Sequence, residues 1–402
     1  MRFAKFLRTK NCVCLATALL LALTQSAGAQ HANQPVDPQL IAADNAFGLN
    51  LLSALNQKNG NANAAISPTS IALVMQIVFN GARDATRQAM AQALQLGSLP
   101  TRSLNVNNEK LRTSLANPDA DVQLTIANSL WIDRKQHPLA PAFVEINKTY
   151  YGAHIGDLAG APNNVNAWVS AATAGLIQNI LDAVEPNDVA VIANAIYFKG
   201  AWTVPFDPAN THPGEFTASD LTKISCSMMH RHGSFDYFAG ADFQILRLPY
   251  GRSKRFSMVI LLPKADVPLK TFMTRVSAES LRSWLSQLKP ASLQVELPRF
   301  KVDYGTSLIE SLSALGMGVA FDPQHAQFPG IAAGVYLSKV EHKAVIQVDE
   351  AGTTAAAATI AVPSVTSFSR PIAMAMDHPF FYAIADGETG ALLFMGSLDK
   401  PS

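Results

Sequence analysis

The sequence contains little cysteine and little charge. Three cysteines occur in 402 residues, and 15% of the residues are charged, 31 of them basic and 30 acidic. Three cysteines are too few for a disulfide scaffold. A near-neutral balance without a long Lys/Arg run argues against a nucleic-acid-binding protein, in which positive charge gathers on one face or tail. The length does allow a sizeable apolar core.

The common signatures of catalysis are also missing. The sequence has no G-x-S-x-G nucleophile elbow, no H-E-x-x-H zinc motif and no Walker A loop. His230 and His232 would lie on one side of a strand, as metal ligands do, but no third ligand follows nearby. We therefore predict a protein that is not an enzyme and that has no metal site and no cofactor.

The first 29 residues resemble a secretory signal. Four basic residues precede an apolar run at 13–23, and the small residues Ala27-Gly28-Ala29 follow it. The run is much shorter than the roughly 20 residues of a membrane-spanning helix. We expect cleavage near Ala29, secretion to the periplasm or the extracellular space, and no membrane anchor. The polar residues 30–43 are expected to form a flexible tail.

Helical and strand-like patterns are intermixed from residue 44 to residue 402. Helical spacing at 44–58, 83–96, 141–151 and 165–181 accompanies a largely apolar helix at 71–79. Strands are predicted at 122–132, 189–198, 256–262, 293–300, 343–348, 380–385 and 392–396. The run VAVIANAIYF at 189–198 is apolar almost throughout, which is typical of a central strand covered on both faces. No linker divides the pattern, so we predict one mixed α/β (α+β) domain over 44–402.

One uncharged stretch does not fit this pattern. Residues 352–369 read GTTAAAATIAVPSVTSFS, with many small side chains and few bulky ones. Thr353, Thr354 and Pro363 argue against an alanine-rich helix, and the length exceeds that of an ordinary loop. Loops of this length usually carry function or are disordered.

Several ordered motifs resemble those of the serpin family. They include ISPTSIALVMQIVFNGARDAT at 66–86, LTIANSLWI at 124–132, NAIYFKGAWTVPF at 194–206 and LSKVEHKAVIQVDEAGTTAAAA at 337–358. LPRF at 297–300 and LLFMG at 392–396 continue the series. The resemblance implies a serpin fold with three β-sheets, eight or nine helices and an exposed reactive-centre loop at about 351–371.

The resemblance also implies a function. A target serine protease cuts the loop and forms a covalent acyl complex, and the severed loop then inserts into the central sheet before the protease can deacylate. The expected protein is a monomeric, irreversible inhibitor without a nucleic-acid or membrane partner. Some serpins are instead non-inhibitory binding or chaperone-like proteins, and their hinges carry bulky, charged or proline residues. The small, uncharged hinge of this sequence favours the inhibitor.

Three groups of residues match sites of the family. The hinge comprises Glu350, Gly352, Thr353, Thr354, Ala355, Ala356, Ala357 and Ala358. A polar gate at the centre of the sheet, called the shutter, comprises Ser67, Ser70, Asn194 and His342. The breach, at the loop's point of insertion, comprises Trp202, Arg299 and Glu350, the last two as an ion pair.

Two reactive bonds are compatible with the loop. Counting from Glu350 as the seventeenth residue before the bond places it between Thr366 and Ser367, whereas counting back from 377–380 places it between Phe368 and Ser369. Thr366 predicts a target with a small specificity pocket, elastase-like or subtilisin-like, and Phe368 predicts a chymotrypsin-like target. The position of Pro363, which cannot donate a ladder hydrogen bond, bears on how deeply the loop inserts.

Overall fold

A computed structural model describes residues 35–60, 62–116, 119–353 and 371–401. The expected signal peptide lies outside these residues. So do the hinge residues from Thr354 to Ala358 and both candidate reactive bonds, Thr366-Ser367 and Phe368-Ser369. Gly352 and Thr353 are therefore the last described residues of the hinge.

The described residues contain nine α-helices, two of them followed directly by a short 3₁₀ or π turn. They are α1 Pro38–Asn59, α2 Pro68–Phe79, α3 Asp84–Ala93, α4 Thr101–Leu115, α5 Pro141–Ile146, α6 Asn163–Ala172, α7 Leu269–Met273, α8 Ala278–Leu285 and α9 Ile309–Leu312. Helix α2 carries the shutter serines near its start and is buried at all twelve positions. It therefore runs through the core of the protein.

Helix α1 begins earlier than the sequence suggested. The prediction of a flexible tail through residue 43 is wrong from Pro38 onwards. The Asp37 carboxylate accepts a hydrogen bond from the Gln39 backbone N–H, and Pro38 occupies the first helical turn, where its missing N–H costs nothing. Leu40, two residues after Pro38, is fully buried, so packing holds this first turn in place.

Helix α6 is shorter than predicted. The helical pattern at 165–181 ends at Ala172. Ala174 and Gly175 both have positive φ, which breaks the right-handed helix. The apolar residues Ile177 and Leu181 are buried in an irregular segment instead, so spacing alone overestimated the helix.

Within the part of the chain that the structure describes, fifteen strands form two hydrogen-bonded networks. They are β1 Ala64–Ile66, β2 Val122–Ile132, β3 His154–Asp157, β4 Ala190–Ala201, β5 His212–Thr217, β6 Lys223–Ala239, β7 Phe243–Pro249, β8 Phe256–Pro263, β9 Lys289–Pro298, β10 Phe300–Ser307, β11 Leu337–Asp349, β12 Gly352–Thr353, β13 Ile372–Ala375, β14 Phe380–Asp386 and β15 Leu392–Leu398. One network has nine strands and the other has six.

The expected three sheets appear as two networks because β6 is continuous. Its first six residues pair with β5, its last four pair with β7, and the segment from Met228 to Tyr237 pairs with β9. A strand of 17 residues thereby joins two layers that shorter strands would leave separate. The described part of the chain otherwise has the mixed, multi-sheet α/β architecture that was predicted.

The six-stranded sheet positions the functional site. Its order is β10-β11-β12-β4-β2-β3, and β11 also pairs directly with β4. As predicted, β4 is central, and its residues from Ala190 to Phe198 are all buried. Helix α2 packs against both β2 and β4. A change in the spacing of β4 and β11 must therefore disturb the core around α2.

Candidate functional site: the opening between β4 and β11

The short strand β12 lies between β4 and β11 at one end of the six-stranded sheet. Thr353 is opposite Val348 of β11 and Gly200 of β4, and both pairings are antiparallel. Beyond it, β4 and β11 pair directly in parallel, from Leu337 opposite Ala190 to Val345 opposite Tyr197. The start of the hinge thus lies between β4 and β11 at one end of the sheet. Along the rest of their length, β4 and β11 pair directly with each other.

The backbone at Gly352 requires glycine. Its φ is +149°, a value that residues with a side chain rarely adopt. A Cβ at this position would lie 2.1 Å from the Gly200 carbonyl oxygen and 2.8 Å from the Ala201 Cα. These are backbone atoms of β4 and cannot turn aside. The hinge glycine therefore permits close contact with the neighbouring strand.

The breach residues surround the turn before β12. Arg299 Nε donates to both carboxylate oxygens of Glu350 at 2.8 Å, and Arg299 Nη2 lies 2.6 Å from Oε1. Thr211 Oγ1 donates to the same carboxylate. Burial raises the pKa of Glu350, but these hydrogen bonds and the guanidinium charge outweigh it and hold the pKa below its usual range. Glu350 therefore stays ionised at neutral pH.

Trp202 holds the backbone of the same turn. Its indole Nε1 donates to the Asp349 carbonyl at 2.9 Å, and its backbone N–H donates to the Ala351 carbonyl at 2.9 Å. The Trp202 ring stacks on Tyr250, with 4.3 Å between ring centroids and 12° between planes. The three predicted breach residues are thus brought together, and Thr211 and Tyr250 join them.

The four predicted shutter residues also meet, at the position where β4 and β11 pair. His342 is opposite Asn194 in the register, and His342 Nδ1 lies 2.6 Å from Asn194 Oδ1. Asn194 Nδ2 lies 2.6 Å from Ser70 Oγ and 3.1 Å from the Ser70 carbonyl oxygen. Ser67 Oγ accepts from the Ser70 backbone N–H at 3.2 Å. The cluster therefore links both strands to the start of α2.

Three residues of the site were not predicted from the sequence, and Thr211, which donates to Glu350, is one of them. Asn128 of β2 is opposite Asn194, and its Oδ1 accepts from Asn194 Nδ2. A polar residue within the apolar strand LTIANSLWI was the available signal. Tyr250 had no such signal, because its contact with Thr353 joins residues 103 positions apart.

Burial keeps His342 neutral. The ring is almost fully enclosed, and burial lowers its pKa to about 3. Because Asn194 Nδ2 is already a donor to Ser70 and Asn128, Asn194 Oδ1 is the acceptor for His342 and the Nδ1 atom carries the proton. His342 Nε2 is buried without a hydrogen-bond partner among the described residues. A second proton on the ring would have no acceptor there.

The titration of His342 predicts acid sensitivity. In the unfolded chain His342 gains a proton below its ordinary pKa of 6.5, whereas in the folded protein its ring stays neutral down to about pH 3. The contribution of His342 to the free energy of unfolding is therefore at its maximum above pH 6.5. It decreases as the pH drops, by up to roughly 3 kcal/mol at pH 4. Denaturant unfolding of the full chain at pH 7, 5.5 and 4 measures the loss. The loss of stability between pH 7 and pH 4 should be smaller in His342→Gln than in the wild type.

Comparison with this variant is needed because Asp44 acts in the opposite direction. Burial raises the pKa of the Asp44 carboxyl to about 8, so its contribution to stability improves as the pH falls from 8 towards 4. Asp44 is present in both proteins and cancels in the difference. An equal pH slope in wild type and His342→Gln would contradict the assignment to His342.

Gly352→Ala is expected to expel the hinge from the sheet. The clash with β4 backbone should abolish the pairing of Gly352 and Thr353, while β10 and the body of β11 stay protected. Hydrogen exchange should therefore rise at least tenfold in a peptide covering 350–353. Gly305→Ala is the matched control, because its nearest neighbour atom lies 3.8 Å away, in an ordinary contact. Unchanged exchange in Gly352→Ala would contradict the close-contact geometry.

The fold and this site define a class of protein: a mixed α/β molecule whose six-stranded sheet holds the first residues of the hinge between two strands that otherwise pair with each other. The family model described as "Serpin (serine protease inhibitor)" matches residues 42–401. The chain belongs to the serpin family.

Relatives and solved structures agree with this assignment. An uncharacterized serpin-like protein of Methanosarcina acetivorans is 30% identical over 387 residues, which cover 92% of this chain and 90% of that protein. The native state of tengpin, a thermophilic serpin, has a TM-score of 0.84 at 26% identity and covers 91% of this chain and 95% of its own. Human thyroxine-binding globulin complexed with thyroxine has a TM-score of 0.82 at 26% identity, with coverage of 90% and 98%.

Proposed function

We propose that this protein is an irreversible inhibitor of serine proteases that traps the acyl-enzyme by inserting its cleaved loop between β4 and β11. The single observation that carries the proposal is the placement of β12. Gly352 and Thr353 are already paired between the two strands, antiparallel to both. Insertion of the following residues continues a strand that has begun, in a fixed register.

The pairing pattern gives the insertion a driving force. Between Leu337 and Val345, β11 makes a parallel ladder with β4. A loop strand that continues β12 replaces this one ladder by two antiparallel ladders, which are slightly more stable per residue. The gain is on the order of ten backbone hydrogen bonds at a net ~1 kcal/mol each. The inserting side chains are small and uncharged, so burying them carries little desolvation cost.

The shutter contacts should create an energy barrier that delays this insertion. Parting β4 from β11 requires loss of the contact between Asn194 and His342. Both side chains are buried, so the separated groups must find new partners or remain unsatisfied. The uncleaved protein can therefore persist with its loop outside the sheet, although the inserted form has more hydrogen bonds.

The decisive experiment mixes the mature protein with an elastase-like, a subtilisin-like and a chymotrypsin-like protease. Formation of a complex that survives SDS supports trapping, and cleavage of the loop by every protease without any complex contradicts it. Sequencing the new N-terminus on the released fragment distinguishes the two bonds. A fragment that begins at Ser367 supports Thr366 as the specificity residue, and one that begins at Ser369 supports Phe368.

We further propose that the protein acts as a monomer after export and cleavage near Ala29. The basic, apolar and small-residue segments of residues 1–29 support export. No helix among the described residues is long and apolar enough to cross a membrane. Fractionation of the producing cells tests the location, and light scattering tests the oligomeric state. A protein retained in the cytosol with residue 1 intact would contradict export.

One cavity favours a non-inhibitory, ligand-binding alternative. Its volume is about 950 Å³, and it lies between the start of α1, helix α8 and strands β6 to β8. Arg247, Arg255 and Arg282 contribute to its wall, together with the apolar side chains of Ile41, Leu281 and Leu285. Thyroxine, the ligand in the thyroxine-binding globulin structure, combines a large aromatic body with a carboxylate and is a suitable probe. A rise in melting temperature with thyroxine, without trapping of any protease, would support this alternative.

A further inference from the structure

The buried hydroxyl of Tyr250 contacts the side chain that begins the inserted strand. Tyr250 OH lies 2.7 Å from Thr353 Oγ1, and both residues are fully buried. Ser/Thr and tyrosine hydroxyls can each donate and accept, so the pair satisfies both groups without water. Tyr250 OH and Thr353 Oγ1 have no other hydrogen-bond partner in the described part of the chain.

The Tyr250 ring is held rigidly for this contact. Its face stacks on Trp202, and Phe198 of β4 meets it edge-on with 4.9 Å between centroids. The Tyr250 backbone N–H donates to the Phe256 carbonyl at 2.8 Å, which fixes the residue at the end of β7. Burial raises the pKa of the phenol, so the hydroxyl remains protonated and available as a donor. The hydroxyl is therefore aimed at one point in the sheet.

Tyr250 differs from the other breach residues in what it holds. Trp202 and Arg299 contact the Asp349 and Ala351 backbone and the Glu350 side chain, all of which precede β12. Those contacts can persist whether or not the hinge lies in the sheet. The Tyr250 contact exists only while Thr353 occupies the strand position between β4 and β11.

We infer that Tyr250 is a positioning residue that retains Thr353 in the sheet before cleavage and so raises the fraction of acyl-enzyme that is trapped. This inference rests on the proposed function. A hinge held at Thr353 starts insertion in register as soon as the loop is cut. A hinge that has left the sheet must first dock again, and deacylation of the protease competes with that delay.

The first test is independent of any protease. Hydrogen exchange in a peptide covering 350–353 of the full, uncleaved chain should rise about three- to tenfold in Tyr250→Phe, because the buried Thr353 hydroxyl loses its partner. Tyr382→Phe is the matched control, since Tyr382 OH is equally buried and has no hydrogen-bond partner among the described residues. The control should leave exchange at 350–353 unchanged.

The second test measures the number of inhibitor molecules consumed per protease trapped. Tyr250→Phe should raise this stoichiometry about three- to tenfold, and Tyr382→Phe should not. In a double-mutant cycle, Tyr250→Phe should have no further effect on a Thr353→Val background, because the partner hydroxyl is already gone. Thr353→Ser, which keeps the hydroxyl, should raise the stoichiometry less than Thr353→Val does.

The outcomes separate this inference from the proposed function. If wild type traps no protease but Tyr250→Phe still raises exchange at 350–353, the inhibitory function fails and the Tyr250 contact stands. If wild type traps protease but Tyr250→Phe changes neither exchange nor stoichiometry, the positioning role is overturned. Additive effects of Tyr250→Phe and Thr353→Val would also overturn the positioning role. Additivity would mean that Tyr250→Phe acts through general core stability, which does not depend on the Thr353 hydroxyl.

Discussion

Replacing Thr353 with arginine is expected to convert the inhibitor into a substrate. The Thr353 side chain is fully buried between β4 and β11, within hydrogen-bonding distance of Tyr250. A guanidinium there has no carboxylate partner in the observed geometry, and burial of an unpaired charge costs several kcal/mol. The arginine should keep the hinge out of the sheet, so the cut loop cannot begin insertion.

The expected result is loss of at least 90% of the SDS-stable complex, with loop cleavage at an undiminished rate. Gel electrophoresis of the protease mixture measures both. Thr271→Arg is the control, because Thr271 lies exposed on α7 and tests the effect of the added charge alone. An undiminished yield of complex in Thr353→Arg would contradict the hinge assignment.

Loss of the Asn194 side chain is expected to open the gate without cleavage. Asn194→Ala removes the hydrogen-bond partner of His342 Nδ1, which is buried. It also removes one contact each of Ser70 Oγ and Asn128 Oδ1, which keep a weaker contact of 3.4 Å with each other. Leaving buried polar groups unsatisfied costs about 1–3 kcal/mol each. The closed sheet should therefore be several kcal/mol less stable, while the inserted form, in which β4 and β11 are already apart, loses less.

The measurement is the rate at which purified protein loses inhibitory activity on storage at 37 °C. We expect at least a tenfold faster loss in Asn194→Ala, accompanied by a product with raised thermal stability. Asn166→Ala is the control. Helix α6 packs against β4, but the three hydrogen bonds of the Asn166 side chain go to Ile180 and Leu181 and not to β4 or β11. Equal rates of loss in the two variants would indicate general destabilisation and contradict a gating role.

Much of the fold follows from local patterns in the sequence. The strand at Val122–Ile132 has the predicted bounds, and the central strand β4 differs from its prediction by three residues at most. Both are runs of apolar and β-branched residues, for which burial and local propensity agree. The same agreement identified α2, whose apolar residues leave no exposed face.

Other elements depend on partners that are distant in the sequence. Helix α4 was missed because much of its buried face is polar: Asn105 and Asn108 are buried through hydrogen bonds to Asn80, Gln76 and Tyr151. Strand β6 was anticipated only around His230 and His232, because histidine, glycine and serine interrupt its alternation elsewhere. Hydrophobic periodicity cannot indicate burial that depends on hydrogen bonds to other elements.

By itself, the sequence determined the small, uncharged hinge and the polar residues placed in apolar strands. These are properties of composition and spacing along the chain. Only the tertiary structure decided which side chains meet: Asn194 with His342, 148 residues apart, and Tyr250 with Thr353, 103 residues apart. The physical reason is that a hydrogen bond requires atoms within about 3 Å. Between strands, that distance is set by sheet order and register.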